Sequence, residues 1–482
     1  MGRVLRLQQP GARNRGGAAV PADGAPRHTD AADGPGQVHP RTPAGRGALL
    51  ADERPAGPVL PPFHVAAPLP AAVLQRARRL EGLLGDPRDR SNPYGHHALA
   101  HGAGRRPFDG LGGLVESEIL PVTKGGHFTG GEALAAALRP LLRRDPELGH
   151  ALVTSTLAAV PGAPLPDRSV ELARLLGPAA LGAAAGTALR AAVRAVAQGE
   201  RRTPGLSRWR ASLARSFADL LACESLTAVA LRSLSRPSGT GDAVLRAAAG
   251  CVVPALAAEI LDEAVLTLGE CGHGRDSAAL RWCLRAADGT ARVRDASGTA
   301  ESRAQLLRAL PSSAGPGGGR AAARPAGEYT GRTDDGTLPT DPVADLHGLL
   351  DAAAAERNGS GAADGPEAGR ARAAGRLLAE RRLLTGPERR VPGTGAAAAE
   401  RYAQLLTACV VLAVRRDTAR YGSSGFLASG GWTPLALARA VQRLGLPPVG
   451  PFDRAQAGVE AELDRRDRMG VDTDLHATRI LW

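Results

Sequence analysis

Apolar residues recur along this chain at the three- and four-residue spacing of one helical face, and no stretch of real length alternates with period two. The first organised segment is Pro70–Leu84, where Val73, Leu74, Leu80, Leu83 and Leu84 share a face and Gly85-Asp86-Pro87 stops the helix. A second helical region runs from Gly131 to about Val160 and restarts at Asp145-Pro146. Four amphipathic segments follow: 169–198, Ala-rich and kinked or restarted at Gly177-Pro178; 207–236, with Leu213, Phe217, Leu220, Leu221, Leu231 and Leu234 on one stripe; 242–268, with Pro254 as a kink; and a short helix after Asp276-Ser277, to about Leu284. Short loops between such helices predict an antiparallel bundle. Further helices are expected over 341–356, 366–384, 397–417, 433–444 and 452–468, and the fourth of these opens on Thr433-Pro434, a cap followed by proline at the first helical position.

The fold class expected is therefore all-α, and the domain scheme has five parts. Residues 1–68 are a Gly/Pro/Ala/Arg-rich tail that cannot bury enough surface to order itself, and 69–165 are an N-terminal helical region. The bundle spans 166–287. A flexible linker over 288–340, with at most a short helix near Arg303–Leu310, leads to a helical C-terminal extension over 341–482.

Composition sharpens this. The 482 residues include 61 Gly, 37 Pro and only 3% aromatics, so the core must be built from Leu, Val and Ala, which disfavours a β-sandwich or barrel. Glycine has no period of three and five cysteines are scattered, which excludes collagen and a disulfide scaffold. Among 60 basic residues the one lysine is Lys124. The net charge of +12 predicts weak attraction to polyanions, but the arginines are diffuse and no aromatic-basic platform or finger spacing appears, so no specific nucleic-acid partner is expected. The N-terminal residues have no apolar core behind a basic start, so no secretory signal is expected there. The longest apolar run outside Ala-rich stretches, Leu405–Val414, is about half a membrane helix, so the expectation is a cytoplasmic protein with reduced thiols and no membrane span.

The chemistry in the residues is sparse. His96, His97, His101 and His127 lie close in sequence, and Cys271, His273 and Cys283 are three soft donors, but neither spacing matches a metal motif, and no metal is expected. Carboxylates on apolar helices stand out because burying one is costly: Glu171, Asp219, Glu224, Glu259, Asp262 and Glu263, each best read as half of an ion pair with one of the many arginines, with Asp219 near an interior or interface.

Phe217-Ala-Asp-Leu-Leu-Ala-Cys-Glu224, Val229-Ala-Leu-Arg232 and Leu261-Asp-Glu-Ala-Val-Leu-Thr-Leu-Gly-Glu-Cys-Gly-His273 together resemble the C-terminal helical bundle of acyl-CoA dehydrogenases. Leu138–Gly149 resembles the end of that family's N-terminal helical domain, and Phe426–Trp432 an extension seen in some of its actinobacterial members. The resemblance implies FAD, held near Gly269 and Gly272, oxidation of an acyl-CoA or acyl-carrier thioester between Cα and Cβ, Glu171 as the base, and a homo-oligomer assembled through the bundle. Only about ten residues stand where the family has its middle β-domain. No counterpart of the flavin-binding Ser/Thr segment appears, and Arg208-Trp-Arg-Ala-Ser-Leu213 replaces the family's Arg-x-x-Phe-Gly. Two readings stand open: an FAD-dependent oxidoreductase of this type, and a non-catalytic helical scaffold or oligomerisation protein derived from it.

Overall fold

Helix starts and stops follow local chemistry in the computed structural model, which describes residues 69–100, 110–123, 130–159, 166–200, 205–235, 239–274, 276–310, 341–356, 366–385, 395–420, 425–450 and 452–482. Helix α1 (Ala71–Leu84) ends at Gly85, whose φ of +66° only glycine adopts freely, and it buries Val73, Ala77, Leu80 and Leu84 while Leu83 faces solvent. Short α2 (His96–Ala100) and α3 (Gly112–Thr123) precede α4 (Gly131–Arg144). At Asp145 the backbone turns extended, and its side chain accepts from the Leu148 N–H at 2.9 Å, capping α5 (Pro146–Ala159).

The middle of the chain carries α6 (Pro166–Gly199), α7 (Arg208–Ser233), α8 (Thr240–Glu270) and α9 (Ala278–Ala296). Contacts fix their directions. Glu171 and Arg246 meet near the starts of α6 and α8, so these two run parallel; Arg208 at the start of α7 meets Glu270 at the end of α8, so α7 runs antiparallel to both. The helix α6 passes through Gly177-Pro178 without a break, because a side chain at 177 would collide with Ser297 on the neighbouring turn and glycine is what lets the two approach. Beyond Leu284, where a short helix was expected to end, α9 continues to Ala296, and Gly298 (φ +71°) turns the chain into α10 (Thr299–Ala309). Residues 288–310, expected as linker, are thus largely helical: Val293 and Leu306 are buried and the Thr299 hydroxyl donates to the Gly250 carbonyl at 3.0 Å. Residues 1–68 and 311–340, expected as tail and linker, lie outside the described residues.

The remaining helices are α11 (Pro342–Ala355), α12 (Pro366–Thr385), α13 (Gly395–Arg420), α14 (Phe426–Ser429), α15 (Thr433–Arg443) and α16 (Asp453–Arg468). They do not stand apart: α13 packs on α7 and α8, and α15 and α16 pack on α7, within one unit spanning Leu60–Trp482. Among the described residues there is no β-strand, only one bridge between Val471 and Arg479, so the architecture is all-α. The aromatic-poor core is made of Leu, Val and Ala, with α8 at its centre touching α6, α7, α9, α10 and α13. Phe217 is one of its aromatic anchors, fully buried, nearly parallel to Phe426 with ring centroids 6.2 Å apart and with the Arg466 guanidinium 5.1 Å from its ring centroid.

Two expectations need correction here. Arg168–Gly199, Thr240–Glu270 and Gly395–Arg420 each contain a window long and apolar enough to cross a membrane, with mean hydropathies of 1.3, 1.8 and 1.3. The expectation of no membrane-spanning segment is overturned by this finding, and the cytoplasmic placement that rested on it goes with it. The cause is alanine: counting only runs of larger apolar residues overlooked helices in which Ala alternates with Leu and Val. In this fold 78–83% of each window is covered by other parts of the protein.

Truncation of the anchor tests the packing. Phe217→Ala should lower unfolding free energy by about 3–5 kcal/mol in urea denaturation, through lost contact area and an unfilled cavity; a loss below about 1 kcal/mol would mean that the α7–α14–α16 junction is not packed as described.

Candidate functional site

The chain after α16 doubles back on itself. Gly470 (φ +60°) makes the turn, and the carbonyl oxygens of Asp472 and Asp474 both accept from Arg466, which the Glu462 carboxylate holds at 2.7 Å. This seats Asp472, Thr473 and Asp474 deep between α4, α6 and α7, all three buried. The Asp472 carboxylate accepts from Arg139 Nε at 2.9 Å and from Arg143 at 3.0 Å, while Arg139 also reaches Glu224 on α7 at 2.8 Å and Arg143 reaches Glu81 on α1 at 2.7 Å. Burial alone would raise the Asp472 carboxyl, but Arg139, Arg143 and Arg190 around it hold it well below the usual carboxylate range. Glycine at 186 is what admits the turn, since a Cβ there would lie 2.5 Å from the Thr473 hydroxyl.

Beside this network, between the ends of α4, α6 and α8, is a cavity of about 260 Å³. Arg143 and Arg144 enter it from the last turn of α4, Arg190 and Arg194 from α6, Arg88 from the loop after α1, and Ile480 and Trp482 close one side from the C-terminal segment. Three of the five arginines have carboxylate neighbours: Arg143 as above, Arg194 with Asp467 at 2.5 Å, and Arg88 loosely with Asp86 at 3.6 Å. The other two do not. Arg144 is 4% exposed and donates to the Gly85 carbonyl, but its second terminal nitrogen is buried without a partner; Arg190 is 8% exposed and its Nε is likewise unpartnered. Burial pushes both guanidiniums down to about 10, which leaves them charged near neutrality. His96 at the cavity wall stacks on Trp282, ring centroids 4.9 Å apart, and burial together with Arg144, Arg88 and Arg190 drives it down to about 3, so its ring is neutral. Trp282 in turn donates to the Arg144 carbonyl at 2.6 Å, which fixes the end of α4.

The residues expected to form a flavin site are not brought together. Glu171 pairs with Arg246 at 2.9 Å near the start of α8, whereas Gly269 and Gly272 lie at its far end; 23 residues of helix separate Arg246 from Gly269, roughly 35 Å. Both glycines are exposed, and a Cβ on either meets nothing within 4 Å. Gly272 is accounted for by its φ of +81°, which lets the His273 N–H return to the Leu268 carbonyl at 3.0 Å as a helix cap. The hollow beside Glu171 is only about 40 Å³, and a groove of about 540 Å³ elsewhere is lined by four carboxylates, Asp219, Glu259, Asp262 and Glu263, against two arginines, Arg215 and Arg439, a balance that disfavours a pyrophosphate. These residues do not fit FAD.

The other carboxylates singled out in the sequence behave as ion-pair partners. Asp219 is buried and gripped by Arg443 at 2.6 and 2.7 Å and by Arg439 at 3.0 Å; Glu259 shares Arg443, and Glu224 pairs with Arg139. Among the described residues no three His, Cys, Asp or Glu side chains gather as a metal site; His101 and His127 lie outside those residues. Neither a known protein family nor a curated protein matches this sequence.

The arginines of the cavity were overlooked in the sequence because basic residues are everywhere in it. A usable signal was present in α6, where Arg190 and Arg194 sit one turn apart on a helix whose neighbours Ala185, Ala188, Leu189, Ala192 and Val193 are all buried. The rule that a charge on an apolar helix needs a partner or a task applies to cations as well as to carboxylates.

Asp472 gives the sharpest test of the network. Its folded pKa is depressed, so its stabilising contribution is complete above the unfolded value of about 3.9 and is lost as pH falls from there toward the folded value. Asp472→Asn should cost about 3–5 kcal/mol at neutral pH, because it strips buried arginines of their anion, and should flatten the fall in stability between about pH 5 and 3. Denaturation at stepped pH checks both; unchanged stability at neutral pH would refute the role given to Asp472.

Proposed function

We propose that this is a ligand-binding helical protein whose arginine-lined cavity holds a small organic anion. The observation that carries this reading is that Arg88, Arg143, Arg144, Arg190 and Arg194 line one cavity, and that two of them, Arg144 and Arg190, are more than nine-tenths buried with no carboxylate within ion-pair distance among the described residues. An anion drawn into the cavity gives these guanidiniums a charge-assisted partner that the chain itself does not place within ion-pair distance.

The lining supports binding rather than proton exchange. Arginine keeps its charge at any physiological pH and presents fixed donors, and the neighbouring His96 is held neutral. Leu268, Ala195, Ile480 and Trp482 supply the apolar part of the lining, the usual composition of a small-molecule site. The dehydrogenase reading has less to rest on, with Glu171 engaged by Arg246 and the glycine turn serving as a helix cap. A scaffold without a ligand gives no role to five arginines gathered on one cavity.

Thermal unfolding with rising inorganic phosphate tests the proposal. A saturable rise in Tm is expected, equivalent to about 2.7 kcal/mol at a hundredfold excess over Kd. Arg190→Met should lose the phosphate response. A rise that never saturates and persists in Arg190→Met would be a general salt effect and would contradict the site.

A further inference from the structure

Helix α1 has one side in the core and one side out. It packs on α4 and buries Val73, Ala77, Leu80 and Leu84, while Ala72, Gln75, Arg78, Arg79, Gly82 and Leu83 are exposed. Their spacing of three, three, one, three and one residues is that of a single helical face. Glu81, the one carboxylate of the helix, is buried and paired with Arg143 at 2.7 Å, so the outer face carries two arginines and no acid.

The C-terminal segment runs beside this helix. The Leu481 N–H donates to the Glu81 carboxylate at 3.2 Å, and Arg479 borders the same small hollow as Arg78. Arg479, Leu481 and Trp482 are therefore brought to the flank of α1, and all three are exposed, whereas Asp472 and Asp474 on the same segment are buried. In the loop after α1 the charges balance, Arg88 and Arg90 against Asp86 and Asp89. A single exposed apolar residue is ordinary on a protein surface. Here Leu83, Leu481 and Trp482 stand around one helix end together with Arg78, Arg79 and Arg479.

Arginines and large apolar side chains on one surface suit a partner that offers phosphate and hydrocarbon side by side. An anionic bilayer does so: its headgroups attract basic residues, and its boundary region takes up apolar side chains. Tryptophan favours that boundary, where its ring finds hydrocarbon and its N–H finds polar groups. A nucleic-acid duplex would match the arginines and leave Leu83 and Leu481 without a counterpart. We propose that the outer face of α1, together with residues 479–482, docks on an anionic lipid surface, with the arginines at the headgroup phosphates and Leu83, Leu481 and Trp482 at the acyl boundary. This goes beyond the cavity and does not rest on it. The three apolar windows of membrane length take no part, since 78–83% of each is covered within this fold.

Co-sedimentation of the full chain with vesicles at about 0.15 M salt tests the proposal, with phosphatidylcholine alone compared with phosphatidylcholine containing phosphatidylserine. Binding to the mixed vesicles and little to the neutral ones is expected. One basic residue at an anionic surface is worth about fivefold in affinity, so Arg78→Gln/Arg79→Gln should weaken binding about 25-fold. Leu83→Ser/Leu481→Ser, which leaves every charge in place, should also weaken it. Arg376→Gln/Arg382→Gln removes the same charge from exposed positions on α12 and should change binding little. Every one of these changes is at an exposed side chain, so the fold is retained. Equal binding to neutral and mixed vesicles, or binding to neither, would overturn the lipid surface. An equal loss in the α12 variant would reduce the effect to overall charge and overturn it too. Tighter binding to a DNA duplex than to the vesicles, lost in the Arg78/Arg79 variant and kept in the Leu83/Leu481 variant, would assign the face to nucleic acid instead.

Discussion

Asp472 accepts from Arg139 and Arg143 at the same time, and the neighbourhood of the cavity depends on that shared carboxylate. A single anion placed among α4, α6 and α7 removes most of the cost of burying two guanidiniums, and it does so from the far end of the chain, more than 300 residues away in sequence. The helices supply the apolar mass of the fold, but hydrophobic contact is not directional. The register in which the C-terminal segment lies over α6 comes from Asp472, from the Arg466 bonds to two backbone carbonyls, and from the missing side chain at Gly186.

That arrangement divides the arginines into two kinds. Most are structural: Arg443 and Arg439 bind α15 to Asp219, Arg210 joins Glu200 to Asp464, and Arg370 and Arg381 tie α12 to α11. Arg144 and Arg190 are different because the carboxylates near them are already committed to other cations. The contrast matters more than the overall charge of +12. A diffuse excess of arginine gives weak, screened attraction to any polyanion, whereas arginines gathered on one cavity of about 260 Å³ admit an anion only up to a limited size.

The helical periodicity was legible residue by residue. Asp145-Pro146 restarts a helix as expected, whereas Thr433, read as a cap, is itself the first helical residue with its hydroxyl unpartnered, and Leu405–Val414 is buried all round. The ion pairs of Asp219, Glu224 and Glu259 were likewise foreseeable, because a carboxylate among leucines in an arginine-rich chain has few other options. Three things were not legible. The length of α9 and the helix α10 lay in sequence rich in Gly, Ser, Asp and Arg, where tertiary burial of Val293 and Leu306 overrides weak local propensity. The membrane-length apolar windows were hidden by alanine, which fills α6 and α8 without forming a run of large residues. The cavity depends on which arginines lack a carboxylate, and that is set by the return of the C-terminal segment, a contact across hundreds of residues that no local pattern encodes. The glycine motif ending in Gly272 misled for a related reason: the same residue types that approach a cofactor also cap a helix.

The most direct measurement is an experimental structure of the protein soaked with inorganic phosphate or an electron-dense oxyanion such as tungstate. The expected result is density for the oxyanion in the cavity lined by Arg88, Arg144 and Arg190, with Asp472 still shared by Arg139 and Arg143. Arg144 and Arg190 found paired to carboxylates of the chain itself, with the anion absent from the cavity, would contradict it.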